Sequence, residues 1–226
     1  MVRLENLNYG KIKEVVSRQE RKYLMAVIQD EYGTIVNGVL MDEEAVNLSI
    51  RTNRVCASMR SWGGMQNRGT FSVTMSDLKM IEVDCDKDTL LITLKNPIIG
   101  TCSNHAGSYS CFHNSIDDVR FDLPEELAMC IVQSAIDGQV LMVGMMNQEA
   151  LEKTISRKMV TFWSRKHKRL WTKGETSGNY LELTDARVNC WGTAILCKAI
   201  PKGPVCHFGT KSCFDAKDGT RRHLWL

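Results

Sequence analysis

The sequence predicts a strand-dominated α+β protein built from two tandem copies of one unit, and three observations lead there. Val83-Asp84-Cys85-Asp86-Lys87-Asp88, followed by Gly107-Ser108-Tyr109-Ser110-Cys111-Phe112, returns later as Val188-Asn189-Cys190-Trp191-Gly192-Thr193, followed by Gly209-Thr210-Lys211-Ser212-Cys213-Phe214. An offset of 105 residues pairs Cys85 with Cys190, Gly33 with Gly138, Met41 with Met146, Glu44 with Glu149, Ala45 with Ala150 and Ile50 with Ile155, and one of 102 pairs Cys111 with Cys213. Self-similarity held in register over nearly the whole chain marks a duplication. Third, both copies open with an apolar run, a glycine turn, a second apolar run and a short helical pattern, and then continue in β-rich runs.

The elements follow in order. Residues 1–20 are read as a charged leader in which Leu4, Leu7, Ile12, Val15 and Val16 fit a surface element or brief helix, with no chemistry assigned. Leu24–Ile28 with Ile35–Met41, and Leu127–Val132 with Val140–Met146, read as hairpins turning at Gly33 and at Asp137-Gly138. Asp42-Glu43-Glu44-Ala45 and Asn147-Gln148-Glu149-Ala150 each put a capping side chain before acidic residues and helix formers, which predicts a short helix. Met80–Asp84, Leu90–Leu94, Val160–Trp163 and Ala194–Ala199 are expected strands. The expected division is the leader 1–20, a first copy over 21–114, a polar linker over 115–124 and a second copy over 125–226.

Composition narrows the class. With 226 residues, 43% hydrophobic and 24% charged, the chain has room for two modest cores. A net charge of +3 is too small to argue for nucleic acid, and no apolar run approaches the roughly 18 residues of a membrane span. No signal-peptide core precedes Val16, so a cytosolic protein with reduced thiols is expected, and nine cysteines then read as core fillers or metal ligands. Cys56, Cys130 and Cys197 lie in apolar runs and are expected in the core.

Three groups of residues can do chemistry. Trp163 to Asn179 packs five cations (Arg165, Lys166, Lys168, Arg169, Lys173), four hydroxyls including Ser164, Thr176 and Ser177, and two glycines into one stretch. Charge-assisted donors, hydroxyls and backbone N–H groups freed by Gly174 and Gly178 suit a phosphorylated ligand, although a solvated basic loop has the same composition. The matching stretch of the first copy, from Ser58 to Thr74, keeps Arg60, Arg68 and Gly69 and little else. Asp84, Asp86 and Asp88 alternate, so an extended chain would project three hard oxygen ligands to one side, as a Mg²⁺ site requires; a solvated acidic hairpin is the plain alternative. Cys85 between them would face away from an ideal strand and needs a bend to join them. Cys206, His207 and Cys213, with Cys190 sixteen residues before Cys206, are spaced as soft Zn²⁺ ligands can be. Three protein ligands would leave a fourth position for water, the arrangement of a catalytic zinc. In the first copy Cys102 and Cys111 lack the full pattern, because Asn104 stands where Cys206 would.

Together, Trp163-Ser164-Arg165, Leu170-Trp171-Thr172-Lys173-Gly174-Glu175-Thr176-Ser177-Gly178-Asn179, the Asp84–Asp88 cluster and Cys206-His207 through Cys213-Phe214 resemble the signature of phosphoribosyl-AMP cyclohydrolase, strongly in the second copy and weakly in the first outside the aspartates. The resemblance implies a soluble metal-dependent hydrolase of histidine biosynthesis that opens the adenine ring of its nucleotide substrate at N1–C6, a cyclic amidine C–N bond. It implies a fold that dimerises with active sites between subunits, here carried by one chain as a monomeric pseudo-dimer. Asp84, Asp86 and Asp88 would hold Mg²⁺, while Cys85, Cys206 and Cys213 would hold Zn²⁺, with Cys190 the rival third ligand. His207 would move the proton. Trp163, Ser164, Arg165, Lys173, Gly174, Glu175, Thr176, Ser177 and Asn179 would bind substrate. Because the sequence stops a dozen residues after Phe214, only the cyclohydrolase step is expected. A non-catalytic, zinc-stabilised nucleotide-binding protein is the rival reading; a zinc nucleoside deaminase would need HxE and PCxxC patterns that the sequence does not contain.

Overall fold

In the computed structural model the described residues are 2–16, 19–59, 69–96 and 108–224. Arg60, Arg68, Cys102 and Asn104 lie outside them. The chain forms two compact units, Met1–Cys111 with His223–Leu226, and Phe112–Arg222.

Unit 1 runs β1 (Ile12–Val16), β2 (Gln19–Gln29), β3 (Ile35–Met41), α1 (Glu43–Thr52), β4 (Arg54–Met59), β5 (Gly69–Val83) and β6 (Thr89–Leu94). Its six-stranded sheet has the order β1-β2-β6-β5-β4, with β3 also on β2. The leader read as a surface element or brief helix is instead a single 3₁₀ turn, Leu4–Asn6, followed by strand β1 paired antiparallel to β2. Ile12, opposite Tyr23 in that pairing, is buried, and so is Leu7 at the end of the 3₁₀ turn.

Unit 2 runs β7 (Phe112–Asn114), β8 (Ala128–Ser134), β9 (Val140–Met146), α2 (Gln148–Arg157), β10 (Thr161–Ser164), β11 (Arg169–Thr172), β12 (Leu181–Asn189) and β13 (Ala194–Pro201). The five-stranded sheet has the order β7-β12-β13-β8-β9, beside a separate β10–β11 ribbon. Ser115 to Pro124 belongs to this unit: Ser115 caps a 3₁₀ turn at Ile116–Asp118, the Arg120 N–H donates to the Gly192 carbonyl at 2.7 Å, and Leu123 is buried.

The duplication extends to single hydrogen bonds. β2 pairs parallel with β6 and β8 with β13, Met25 opposite Thr89 and Met129 opposite Ala194. Asp42 and Asn147 cap their ten-residue helices through the N–H of Ala45 and of Ala150, each at 2.9 Å. Such a cap stabilises a helix by about 1 kcal/mol. Inside each helix a buried hydroxyl, Ser49 or Thr154, donates back to the carbonyl of Ala45 or Ala150 and accepts the N–H of the following strand, Cys56 or Thr161. Ser110 and Ser212 donate to the carbonyls of Ile35 and Val140, and the next N–H groups, Cys111 and Cys213, bond Val36 and Leu141.

Bulk is redistributed between the copies. An added Cβ at Gly144 would lie 2.5 Å from the Phe162 ring, so the glycine exists to admit that ring. Their counterparts at the 105-residue offset are Val39 and Ala57, both buried. A close-packed core accepts such an exchange only when volume is conserved. Cys56, Cys130 and Cys197 are buried in these cores. Among the described residues, no helix is long and apolar enough to cross a membrane.

Candidate functional site

In unit 1 the chain between β5 and β6 does not stay extended. Lys87 has φ 63°, its N–H bonds the Asp84 carbonyl at 3.2 Å, and Asp84 Oδ1 accepts the N–H groups of Asp88 and Thr89 at 3.0 and 3.1 Å. The alternation of the three aspartates therefore sits on a tight turn, and the expectation of three carboxylates on one face of a strand is corrected. The bend supplies what Cys85 lacked: its Sγ and one oxygen each of Asp84 and Asp86 lie within 4.8 Å of one another. Asp88 turns to a different partner, accepting from Thr89 Oγ1 at 3.0 Å and pairing with the Lys11 ammonium, which also reaches Asp86 at 3.2 Å.

Burial sets the electrostatics of this turn. Asp84 and Asp88 are 8% and 2% exposed, whereas Asp86 is open to solvent. Burial, and then the Asp88 charge beside it, pushes the Asp84 carboxyl up to about 7. Burial disfavours the Lys11 ammonium, but Asp88 and then Asp86 more than offset this and raise its pKa. A turn with two buried carboxylates, an exposed third and an adjacent thiol fits a divalent cation: the carboxylates are hard donors, and the positive charge would relieve the penalty on Asp84. Lys11 escaped the sequence reading, since only the β1–β2 pairing brings it to the aspartates.

The equivalent turn of unit 2 keeps the backbone and loses the charge. Asn189 Oδ1 accepts the N–H groups of Thr193 and Ala194 at 2.9 and 3.0 Å, and Gly192, in the place of Lys87, has φ 75°. Trp191 and Thr193 replace Asp86 and Asp88. Cys190 is half-buried there.

Where unit 1 runs straight, unit 2 breaks. β5 pairs through its first residues with β4, Ser58 opposite Thr70, and through its last with β6, Leu78 opposite Leu94; the corresponding pairs in unit 2 are Trp163 of β10 with Leu170 of β11 and Leu183 of β12 with Ala199 of β13. Between β11 and β12 lies the loop Lys173–Tyr180. Gly174 at φ 94° makes it possible, as any Cβ there would stand 2.5 Å from the Tyr180 nitrogen. The Gly178 N–H closes the loop on the Gly174 carbonyl at 2.8 Å.

The predicted binders divide by role. Trp163, Ser164 and Arg165 end β10 and enter its turn, half-buried, with Ser164 Oγ accepting the His167 N–H at 3.3 Å. Glu175 accepts the Thr172 N–H at 3.2 Å and pairs with Arg169 at 3.2 Å, so it holds the loop's base. Lys168 pairs with Glu125. Thr176 and Ser177 stand exposed at the loop's tip, and Ser177 Oγ accepts the Asn179 N–H at 3.3 Å, while Asn179 packs against Gly203. Lys173 is only 7% exposed; burial lowers its pKa, against the opposing pull of Cys213 and then Cys206. The loop's cation is thus gathered with the two thiols of the same unit.

Those thiols sit on one strapped loop. Cys206 N–H donates to the Thr210 carbonyl at 3.1 Å, Gly209, at φ 81°, returns its N–H to the Cys206 carbonyl at 2.9 Å, and Arg222 clasps the Cys213 carbonyl at 2.6 Å. Cys206 is buried and Cys213 half-buried, while His207 is exposed at the tip with its ring 4.0 Å from that of Phe208. Soft thiolates beside an imidazole suit zinc. Among the described residues of unit 2, however, no three thiol, imidazole or carboxylate groups bring ligand atoms within 4.8 Å of one another. Cys190 does not complete a triad there.

The sequence profile of phosphoribosyl-AMP cyclohydrolase matches residues 38–113 and 142–215, reaching both units. The chain is 49% identical over 100 residues to the histidine biosynthesis bifunctional protein HisIE of Photobacterium profundum, covering 44% of this chain and 48% of that protein. It is 48% identical over 109 residues to the protein of the same name from Shigella sonnei, covering 48% and 52%. Against that from Photorhabdus laumondii it is 56% identical over 84 residues, 37% of this chain and 42% of the relative. The chain therefore spans about half the length of the curated relatives it matches. With the profile covering most of the chain, and the acidic turn, the glycine loop and the thiol loop all lying within the matched residues, this chain belongs to the phosphoribosyl-AMP cyclohydrolase family.

Proposed function

We propose that the chain hydrolyses the N1–C6 bond of the adenine ring in 1-(5-phosphoribosyl)-AMP, forming the imidazole carboxamide intermediate of histidine biosynthesis, at a composite site to which each unit contributes one half. The observation that carries the reading is complementary loss: the acidic turn survives only in unit 1, and the glycine loop and the Cys206–Cys213 thiol pair only in unit 2. Independent decay of two redundant sites would not be expected to leave one full set of parts.

In this reading Asp84, Asp86 and Asp88 hold Mg²⁺, and Cys85, Cys206 and Cys213 hold Zn²⁺. Zinc, when bound, supplies the Lewis acidity that brings a water's pKa to about 7. Ser164, Arg165, Lys173 and Thr176 hold the substrate's phosphates, aided by N–H groups of the Gly174 loop, and Trp163, Ser177 and Asn179 border them. Glu175 supports that loop from below. The water oxygen adds to C6, the C6–N1 electron pair returns to N1, and His207, exposed at its loop tip, delivers the proton N1 needs. The reading also makes the chain a cytosolic monomer with one site, since both halves of the family's dimer are present once.

Purified chain supplied with zinc and magnesium should change the near-ultraviolet absorbance of phosphoribosyl-AMP as the purine opens. Absence of that change with both metals bound would leave a nucleotide-binding protein without catalysis.

A further inference from the structure

Lys11 reaches the acidic turn because Asn8 docks there, its N–H donating to the Lys87 carbonyl at 2.7 Å, and because Ile12 then enters β1 opposite Tyr23. From that anchored position the ammonium pairs with the buried Asp88 and, at 3.2 Å, with Asp86. Asp86 is also one of the three groups, with Asp84 and Cys85, whose donor atoms converge. A single carboxylate is thus shared between a tethered cation and the place where a free one would bind. Unit 2 gives the internal comparison: Arg120 docks on the equivalent Gly192 carbonyl, also at 2.7 Å, and the residue three positions later is the buried Leu123, not a lysine. The leader presents a lysine where the turn has carboxylates; the matching segment has a leucine at that step, and the methylenes of its Arg120 pack on Gly192 of the neutral turn.

We propose that Lys11 is a built-in competitor for the divalent cation of the acidic turn: its ammonium neutralises Asp86 and Asp88 while the turn is empty, and must leave them when a divalent ion binds. Lys11 therefore sets the metal affinity of the turn. The inference rests on the reading above only in taking the turn as a cation site. A buried carboxylate left without its counter-charge is costly, so the lysine lets this turn fold before any metal arrives. A divalent ion replaces one positive charge with two.

The test is a titration with Mn²⁺ of chain loaded with zinc, following the free ion by electron paramagnetic resonance. Lys11→Met should bind Mn²⁺ about tenfold or more tightly than the parent chain, as a competing charge within contact distance has been removed, and Lys11→Arg should stay near the parent. Equal or weaker binding in a folded Lys11→Met overturns the proposal. The unaltered chain gives a second readout: acylation of Lys11, read by mass spectrometry, should rise as Mn²⁺ saturates the turn, and unchanged labelling at saturation overturns the proposal too. Neither measurement uses turnover, so failure here is separate from failure of the absorbance assay.

Discussion

The turns at Asp84–Asp88 and Asn189–Thr193 have the same backbone and the same pair of side-chain-to-N–H hydrogen bonds, yet one carries three carboxylates and the other none. The reverse holds for the segments before them, where β5 runs unbroken in unit 1 and unit 2 opens the Lys173–Tyr180 loop. Shared hydrogen bonding keeps both folds, while the side chains able to do chemistry differ between them.

That contrast breaks most sharply at the thiols. Cys85→Ser, Cys206→Ser and Cys213→Ser should each lose zinc and drop turnover to background, with Cys190→Ser and Cys111→Ser keeping both. Metal analysis beside initial rates decides it; zinc lost from Cys190→Ser but kept in Cys85→Ser would return the site to unit 2 alone. Next in size is the acidic turn, where Asp86→Asn should lower turnover by about a hundredfold or more under limiting magnesium. Trp191→Phe, at the equivalent place, should alter thermal stability more than rate. Full activity in Asp86→Asn would sink the composite site.

Two smaller effects sharpen the packing and charge sides of the comparison. Gly144→Ala should destabilise by about 1–3 kcal/mol through its clash with Phe162, and Phe162→Ala in the same chain should relieve part of that, as Val39 with Ala57 suggests; urea melts measure both. The last concerns pH. Asp84 has its pKa raised on folding, so in metal-free chain its contribution is fully present below the ordinary carboxylate value and is lost as pH rises through about 7. Melting temperature should fall by a few degrees between about pH 5 and pH 8. In Asp84→Asn, which copies Asn189, that slope should flatten, and an unchanged slope would assign it to another group.

Much of this was legible in the sequence because it rests on local rules. Apolar runs around Gly33 and Gly138 became the two hairpins, and Asp42 and Asn147 became caps, since a side-chain oxygen three residues before a free N–H works wherever it occurs. The aspartates misled because alternation implies one face only while the backbone stays extended, and nothing in Asp84–Asp88 announces that Lys87 adopts a positive φ. Glu175 was grouped with the ligand binders through the family signature, and no sequence rule shows that its carboxylate also accepts the Thr172 N–H and pairs with Arg169. Lys11 stayed hidden for a different reason: its partners are some seventy-five residues away, and only strand pairing brings them together.

The staple in these turns also bears on how one gene came to hold unequal halves. One oxygen on residue 84 or 189 accepts both turn N–H groups, and an amide oxygen accepts them as well as a carboxylate does. Asp and Asn codons differ by a single base. A duplicated gene can therefore remove the buried carboxylate from one of its two turns in one step without unfolding the protein, and with that ligand gone selection has less to protect at the neighbouring acidic positions.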